Sequence, residues 1–271
     1  MVPRTQSSAA VSADGRNWFL LNASPDLSQQ ITRNSALRPS GGLRGSPIRG
    51  VFLTNGDVDH LAGLLSLRER QELAIHGSNA TLELIAANSI FRVLDPAFVR
   101  GIRLEPEMAV DTGFGLVLRP FLVPGKVPLY QESGTPEIGN LSEATLGFEV
   151  EAMTQGGKRR LVYIPGCAKV DAHIRRRVEG ADLLAFDGTT FTDDEMPTLG
   201  LSQKTAWRMG HMAIGGEGGS LAAFDGARIG HKIYTHINNS NPILIAGSPE
   251  RRAVEAAGWQ VAHDGMEVSL R

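Results

Sequence analysis

The chain has 271 residues, of which 42% are hydrophobic and 21% charged, and its formal net charge at pH 7 is −2. This composition is typical of a folded globular protein with a real core, and we expect one domain over residues 1–271. A near-neutral charge without a long basic run argues against nucleic acid as the main partner.

Two further classes of protein are excluded by the sequence. No apolar stretch approaches the roughly 18–20 residues that span a bilayer, and residues 1–10 lack the apolar core of a signal peptide. We therefore expect a cytoplasmic protein without membrane insertion. The single cysteine, Cys167, rules out an intrachain disulfide framework and a cysteine-rich zinc cluster within the chain.

Strands and helices are predicted to alternate along the chain. Short apolar runs bounded by Gly, Pro, Asn or Asp predict strands at residues 18–21, 48–53, 116–122, 146–152, 161–164, 183–186, 232–237 and 261–270. Helical patterns lie at residues 24–32, 60–68, 79–87, 168–179, 203–210, 216–224 and 249–257. This order predicts a layered α/β or α+β fold, and the long connection 123–143 is expected to frame an active site.

The most informative segment is the turn 54–60, Thr-Asn-Gly-Asp-Val-Asp-His, which joins the strand at 48–53 to a helix. Gly56 and the onset of the helix allow Asp59 and His60 to point into one cleft, where they would form a metal-ligand pair. Asp59 could also cap the helix, and the two roles are compatible. Asn55 is expected to hydrogen-bond near the metal rather than bind it.

A second ligand position follows the strand at 232–237, where His236 is next to Asn238, Asn239 and Asn241. On a strand, His231 would point to the opposite face from His236, so only one of them can face the cleft. Together with Asp59 and His60, His236 would complete a set of two histidines and one carboxylate. That set is typical of non-haem iron sites with open positions, although it also accepts zinc.

Other polar positions have two readings each. Asp187 follows the strand at 183–186 and is either a site carboxylate or part of an Asp-Gly turn, whereas His211 is either a site residue or a loop histidine that bonds to backbone. The glycine-rich segment 215–219 lacks the lysine of a nucleotide loop, and no base is identifiable for Cys167, which we expect to be inert. Structural roles are expected for His76, His173 and His263.

The order of these motifs resembles the metallo-β-lactamase superfamily, which implies an αββα sandwich. Its usual motif is His-x-His-x-Asp-His, and here Asn55 and Asp57 stand at the first two histidines. The resemblance therefore implies a single metal at Asp59, His60 and His236 rather than a two-zinc site.

A closer resemblance covers essentially the whole chain. Segments 4–8 (RTQSS), 22–26 (NASPD), 209–211 (MGH), 235–242 (THINNSNP) and 264–266 (DGM) resemble the family of pyrroloquinoline quinone (PQQ) biosynthesis B proteins. Members of that family usually begin with a strand, a glycine-rich turn and a cysteine-rich, zinc-binding segment. This chain starts after that region, so we expect an exposed sheet edge.

The family resemblance implies a reaction and a set of roles. It implies an Fe(II)- and O2-dependent hydroxylase acting on the tyrosine ring of a Glu–Tyr-derived intermediate. With the iron at Asp59, His60 and His236, we expect Asp187 and His211 either to support the ligands or to transfer protons. It also implies contact with other PQQ pathway proteins, and a homodimer is a further expectation. Two alternatives are a soluble carrier of PQQ or its precursor toward the periplasm and a metal-dependent hydrolase. The predicted substrate-binding residues are Asn55, Asp57, Asn238, Asn241, Arg4, Lys126 and Arg208.

Overall fold

Two β-sheets share a core in the computed structural model of the protein, which describes residues 4–40, 42 and 45–271. The first sheet has the strand order β1 to β5, and the second has the order β12, β11, β10, β9, β8, β7, β6. The strands of the first sheet are β1 (Ala9–Val11), β2 (Trp18–Leu21), β3 (Ile48–Phe52), β4 (Leu73–Gly77) and β5 (Val99–Arg103). Those of the second are β6 (Val110–Asp111), β7 (Leu116–Gly125), β8 (Asn140–Thr154), β9 (Gly157–Ile164), β10 (Leu183–Asp187), β11 (His231–Thr235) and β12 (Trp259–Val261).

Each sheet contains a parallel half. Strands β2 to β5 run parallel, as do β9 to β12, whereas β1 pairs antiparallel with β2 and β6 to β9 pair antiparallel with one another. The parallel strands β3 and β10 are largely buried, as their apolar sequences require. Their carboxyl ends carry the turns that hold the predicted ligands.

Helices cover the outer faces of the two sheets. They are α1 (Leu27–Arg33), α2 (Val58–Leu61), α3 (Asn79–Ala87), α4 (Ala172–Val178), α5 (Glu195–Thr198), α6 (Ala206–Met209), α7 (Ser220–Ala223) and α8 (Pro249–Ala256). Short 3-10 turns lie at Ser35–Leu37, Ala62–Leu67, Ser89–Val93, Leu129–Gln131 and Pro242–Leu244. Among the described residues, no helix is long and apolar enough to cross a membrane.

Three apolar clusters form the core and define the layers. The central cluster lies between the sheets and includes Phe19 and Phe52 from the first sheet and Phe148 from the second. The ring of Phe52 meets that of Phe148 edge to face at a centroid distance of 5.7 Å. The other two clusters pack helices against the outer face of each sheet. The layer order is therefore helix, sheet, sheet, helix, as the predicted αββα sandwich requires.

Several predicted boundaries are wrong, for local reasons. The strand predicted at 261–270 ends at Val261, because a turn with Gly265 at φ 74° follows. The helix predicted at 168–179 begins at Ala172, where the Asp171 side chain caps it. The irregular connection predicted at 123–143 is shorter, because β7 and β8 extend to leave only residues 126–139 between them.

Candidate metal centre

The predicted ligands meet where strands from both sheets end. The turn 53–57 follows β3 of the first sheet, whereas Asp187 ends β10 and His236 follows β11 of the second sheet. Strands β10 and β11 pair in parallel, so Asp187 lies beside Thr235. The edge shared by the two sheets thus collects side chains that are up to 177 residues apart in sequence.

His60 is held by a chain of hydrogen bonds that starts on a neighbouring strand. Its Nδ1 lies 3.0 Å from Thr54 Oγ1, and the Asn22 side chain accepts from Thr54 N at 2.8 Å. His60 is fully buried, and its Nε2 has no hydrogen-bond partner among the described residues. An unpaired buried ring nitrogen is costly, so a ligand for Nε2 is implied.

The predicted capping role of Asp59 is wrong. Helix α2 begins at Val58, so Asp57 occupies the N-cap position and Asp59 lies in the first turn. The backbone N–H of Asp57 donates to Asn55 Oδ1 at 3.0 Å, and this hydrogen bond tightens the turn. Asp59 is consequently free to face the cleft with a side chain that is 37% exposed.

His236 adopts a left-handed backbone conformation, with φ 53°, immediately after β11 ends at Thr235. This conformation is uncommon for a residue other than glycine, and strained residues of this kind cluster at functional sites. Because His236 lies outside the strand, the predicted alternation between His231 and His236 does not apply. The turn aims the His236 ring at Asp59, with Nε2 2.9 Å from Asp59 Oδ2.

Asp59, His60 and His236 offer three ligand atoms that lie within 4.8 Å of one another. Asp59 Oδ2 is 3.7 Å from His60 Nε2, and the two imidazole rings meet at 80° with their centroids 5.0 Å apart. Two imidazoles, which bind metal in their neutral form, and one carboxylate make a donor set that suits iron or zinc. Together with the unpaired His60 Nε2, this set fits a metal ion.

The two histidines differ in protonation. Burial lowers the pKa of His60 to about 3, so its ring is neutral and ready to act as a ligand. Burial also disfavours the charged form of His236, but the hydrogen bond and charge of Asp59 outweigh it and raise the pKa to about 9. For Asp59, burial opposes ionisation, yet the hydrogen bond from His236 and the nearby histidines lower its pKa.

A second group of polar residues adjoins the triad through His236. Asp187 is fully buried and accepts from the Cys167 amide at 2.9 Å, while its Oδ2 lies 2.6 Å from His211 Nδ1. Thr189 Oγ1 is 2.7 Å from Asp187 Oδ1 and 2.9 Å from His236 Nδ1. Asp187, His211 and His236 also form a possible metal-ligand group.

Comparison with known proteins identifies the family. Residues 17–237 match the model of the beta-lactamase superfamily domain. The Coenzyme PQQ synthesis protein B of Methylobacterium sp. (strain 4-46) is 53% identical over 99% of this chain and 88% of its own length. The chain belongs to this PqqB family. Its counterpart in Xanthomonas campestris pv. campestris (strain B100) is 51% identical over 98% of this chain and 88% of its own length.

A solved PqqB structure confirms the fold. The 1.98-Å crystal structure of Zn2+-bound PqqB from Methylobacterium extorquens superposes with a TM-score of 0.96 at 49% identity. The match covers 99% of this chain and 89% of that one. The predicted family and the predicted metallo-β-lactamase fold are both confirmed.

The asparagines of the PqqB-like segment 235–242 hold loops together. Asn241 is fully buried and donates to Gly188 O at 2.8 Å, while its Oδ1 accepts from Ile243 N. The backbone N–H of Asn238 donates to Thr189 O at 3.0 Å. Both asparagines therefore fix the segment that carries Thr189, which in turn contacts the His236 ring.

The predicted cations lie at two different places. The Arg4 guanidinium donates to Ala262 O and is close to Asp264. Lys126 and Arg208 instead share one carboxylate, that of Glu132. The substrate roles of these residues stay predictions.

Three supporting residues were not predicted from the sequence. Asn22, Thr54 and Thr189 hold the two histidines, but short polar residues at strand ends are common and carry no distinctive spacing. The positive φ of Asn22, 66°, is a feature of the folded chain only. The one usable signal is position: Thr54 opens the predicted ligand turn 54–60, and Thr189 follows Asp187 by two residues.

Proposed function

We propose that this chain acts in PQQ biosynthesis as an Fe(II)- and O2-dependent hydroxylase of the tyrosine ring in a Glu–Tyr-derived intermediate. The names of its relatives, which are about half identical over nearly their full length, support the role in PQQ biosynthesis. Metal binding is supported by the Zn2+-bound PqqB neighbour and by the triad itself.

The observation that carries the proposal is the unpaired His60 Nε2, buried beside Asp59 and His236. These three residues would hold the metal and leave room on it for O2 and the phenol. Iron bound there would supply O2 activation next to the phenol. A two-zinc site is disfavoured, because Asn55 and Asp57 replace the two histidines of the usual motif.

Asp187 and His211 would handle the proton. A hydrogen bond from His211 Nδ1 to the buried Asp187 leaves Nε2 as an acceptor, which suits it to take the phenol proton. Asn241 and Asn238 would orient His236 indirectly, by fixing the backbone of Thr189. Asn55 and Asp57 line the metal turn and would face the substrate. The cytoplasmic location and the homodimer stay predictions.

A zinc-dependent hydrolase is the second candidate, favoured by the zinc in the PqqB neighbour. The fold is used by many hydrolases, but a fold does not fix a reaction. Turnover of an ester or phosphodiester by the zinc-loaded protein would support it.

The test is anaerobic reconstitution with Fe(II), followed by oxygen uptake with a Glu–Tyr-derived diamino acid. We expect uptake with hydroxylated product, both abolished by His236→Ala. His263→Ala is the matched control, because His263 is exposed and its ring contacts the neighbouring Asp264 carbonyl rather than any of the three proposed ligands. Metal binding without oxygen uptake would contradict the hydroxylase, and stoichiometric binding of PQQ in its place would favour a carrier.

A further inference from the structure

A cluster of charged side chains lies beside the metal centre, built around one carboxylate. Glu132, whose side chain is 8% exposed, lies 3.0 Å from Lys126 Nζ and 3.9 Å from Lys204 Nζ. Arg208 binds both of its carboxylate oxygens, at 3.1 and 2.8 Å. We call Lys126, Glu132, Lys204 and Arg208 the Glu132 cluster.

The Glu132 cluster has more cations and donors than its single carboxylate can satisfy. Three positive charges face one negative charge, so the formal excess is two. A carboxylate accepts at about four positions, whereas one arginine and two lysines offer about eleven N–H groups. Arg208 and Lys204 keep side chains that are 33% and 35% exposed, so their remaining donors are within reach of a ligand.

The cluster is next to the groups proposed to act on the substrate. A Cβ at Gly210 would lie 2.9 Å from Lys126 Cγ, and Gly210 directly precedes His211. The Lys126 charge acts on Asp57 in the metal turn. Trp207, the neighbour of Arg208, lines a cavity of about 750 Å³ together with His211. An anion bound by the cluster would therefore lie close to His211 and to the turn that carries Asp57.

We propose that the Glu132 cluster is the subsite that binds a carboxylate of the substrate, with Lys204 and Arg208 in contact and Glu132 offsetting part of their positive charge. This inference rests on the proposed function, because it names what the same site recognises. Asp57, Asp59 and Asp187 make the centre acidic, so an anionic substrate needs an opposing positive charge close by. Arg208 already donates one N–H from each terminal nitrogen to Glu132, so about three of its five N–H groups are left for the substrate.

The opposing explanation is mechanical. The cluster also joins the loop 126–139 to helix α6, and ion pairs can serve only to hold two segments together. Two variants separate these explanations, because they change the charge in opposite directions. Lys204→Met removes the cation with the longest contact to Glu132, whereas Glu132→Gln removes the anion but keeps its shape.

The test is calorimetric binding of the Glu–Tyr-derived diamino acid to the zinc-loaded holoprotein, which needs no turnover. We expect Lys204→Met to weaken binding of the diamino acid about tenfold while its metal content stays unchanged. For a ligand in which the recognised carboxylate is converted to an amide, Lys204→Met and the unaltered protein should bind equally well. Glu132→Gln should bind as tightly as the unaltered protein or more tightly, although its melting temperature falls. Lys158→Met is the control, because Lys158 pairs with Glu151 on the remote β8–β9 hairpin.

The subsite is overturned if Lys204→Met binds the diamino acid normally, or if Glu132→Gln loses binding in proportion to its stability. Failure of the proposed function gives a different result. If the unaltered protein does not bind the diamino acid, glutarate is titrated against it by NMR. Resonance shifts at the Glu132 cluster that Lys204→Met abolishes would keep the anion subsite, and their absence would remove it.

Discussion

The two sheets contribute opposite kinds of ligand to one centre. The first sheet supplies His60, which is buried, neutral and left with an unpaired Nε2. The second supplies His236, whose two ring nitrogens are both engaged, by Thr189 and by Asp59. In the proposed metal centre, the His60 side needs a bound ion to pair its free nitrogen, whereas the His236 side is already satisfied by a proton. We therefore expect a metal to compete with a proton at His236 but not at His60.

The largest effect is expected from His60→Ala, which removes the unpaired ligand. We expect metal affinity to fall by more than about 100-fold, the upper range for loss of a residue that only supports a ligand. A competition titration with a chromophoric chelator measures it. His263→Ala should keep full affinity. Metal binding by His60→Ala as tight as that of the unaltered protein would show that His60 Nε2 is not a metal ligand.

The pH dependence of metal binding tests the proton at His236. Its pKa is raised to about 9 in the metal-free protein, so below that pH a proton must leave before the ring can bind metal. We expect affinity to rise about tenfold per pH unit from pH 7 to 9, about 100-fold in all, and then to level off. The same raised pKa stabilises the metal-free fold below pH 6.5, and that stability is lost as the pH rises through 9. An affinity that is flat over this range would contradict the account.

A matched pair of threonine substitutions compares the supports of the two histidines. Thr189 Oγ1 contacts Asp187, His211 and His236, whereas Thr54 Oγ1 contacts Asn22 and His60. We expect Thr189→Val to weaken metal binding about 100-fold and Thr54→Val by about tenfold. The same chelator titration applies. Equal losses of metal affinity would remove the proposed contrast between the two supports, and a larger loss for Thr54→Val would reverse it.

The smallest effect concerns a second buried histidine of the first sheet, His76, which stacks on Phe52 at 4.1 Å. Burial lowers its pKa to about 4, so the unfolded chain binds the extra proton as the pH falls below 6.5. We expect unfolding free energy to fall by about 1 to 2 kcal/mol from pH 7 to pH 5 through His76. Urea unfolding of the metal-free protein measures this fall, and His76→Phe should remove that share without changing metal affinity. If the unfolding free energy of His76→Phe falls with pH as steeply as that of the unaltered protein, other groups cause the fall.

The sequence predicts the parts of the centre that depend on neighbouring residues. Strand ends before Asp59, Asp187 and His236 can be recognised because the buried parallel strands that precede them are short apolar runs. The strand β5 could not be found this way, because most of its residues are exposed and its pattern does not alternate.

Long-range contacts lie outside what the sequence shows. Thr189 meets His236 across 47 residues and Asn22 meets Thr54 across 32. The left-handed turn at His236 is likewise imposed by packing, since local preference disfavours it. The unpaired His60 Nε2, on which the proposal depends, therefore becomes visible only in the folded chain.

The central claim is that Asp59, His60 and His236 hold the metal. A crystal structure of the anaerobic Fe(II)-loaded protein, with anomalous diffraction at the iron edge, tests it most directly. The account predicts an iron peak bound by His60 Nε2, His236 Nε2 and an Asp59 carboxylate oxygen. Iron held by Asp187, His211 and His236, with His60 Nε2 unbound, would contradict it.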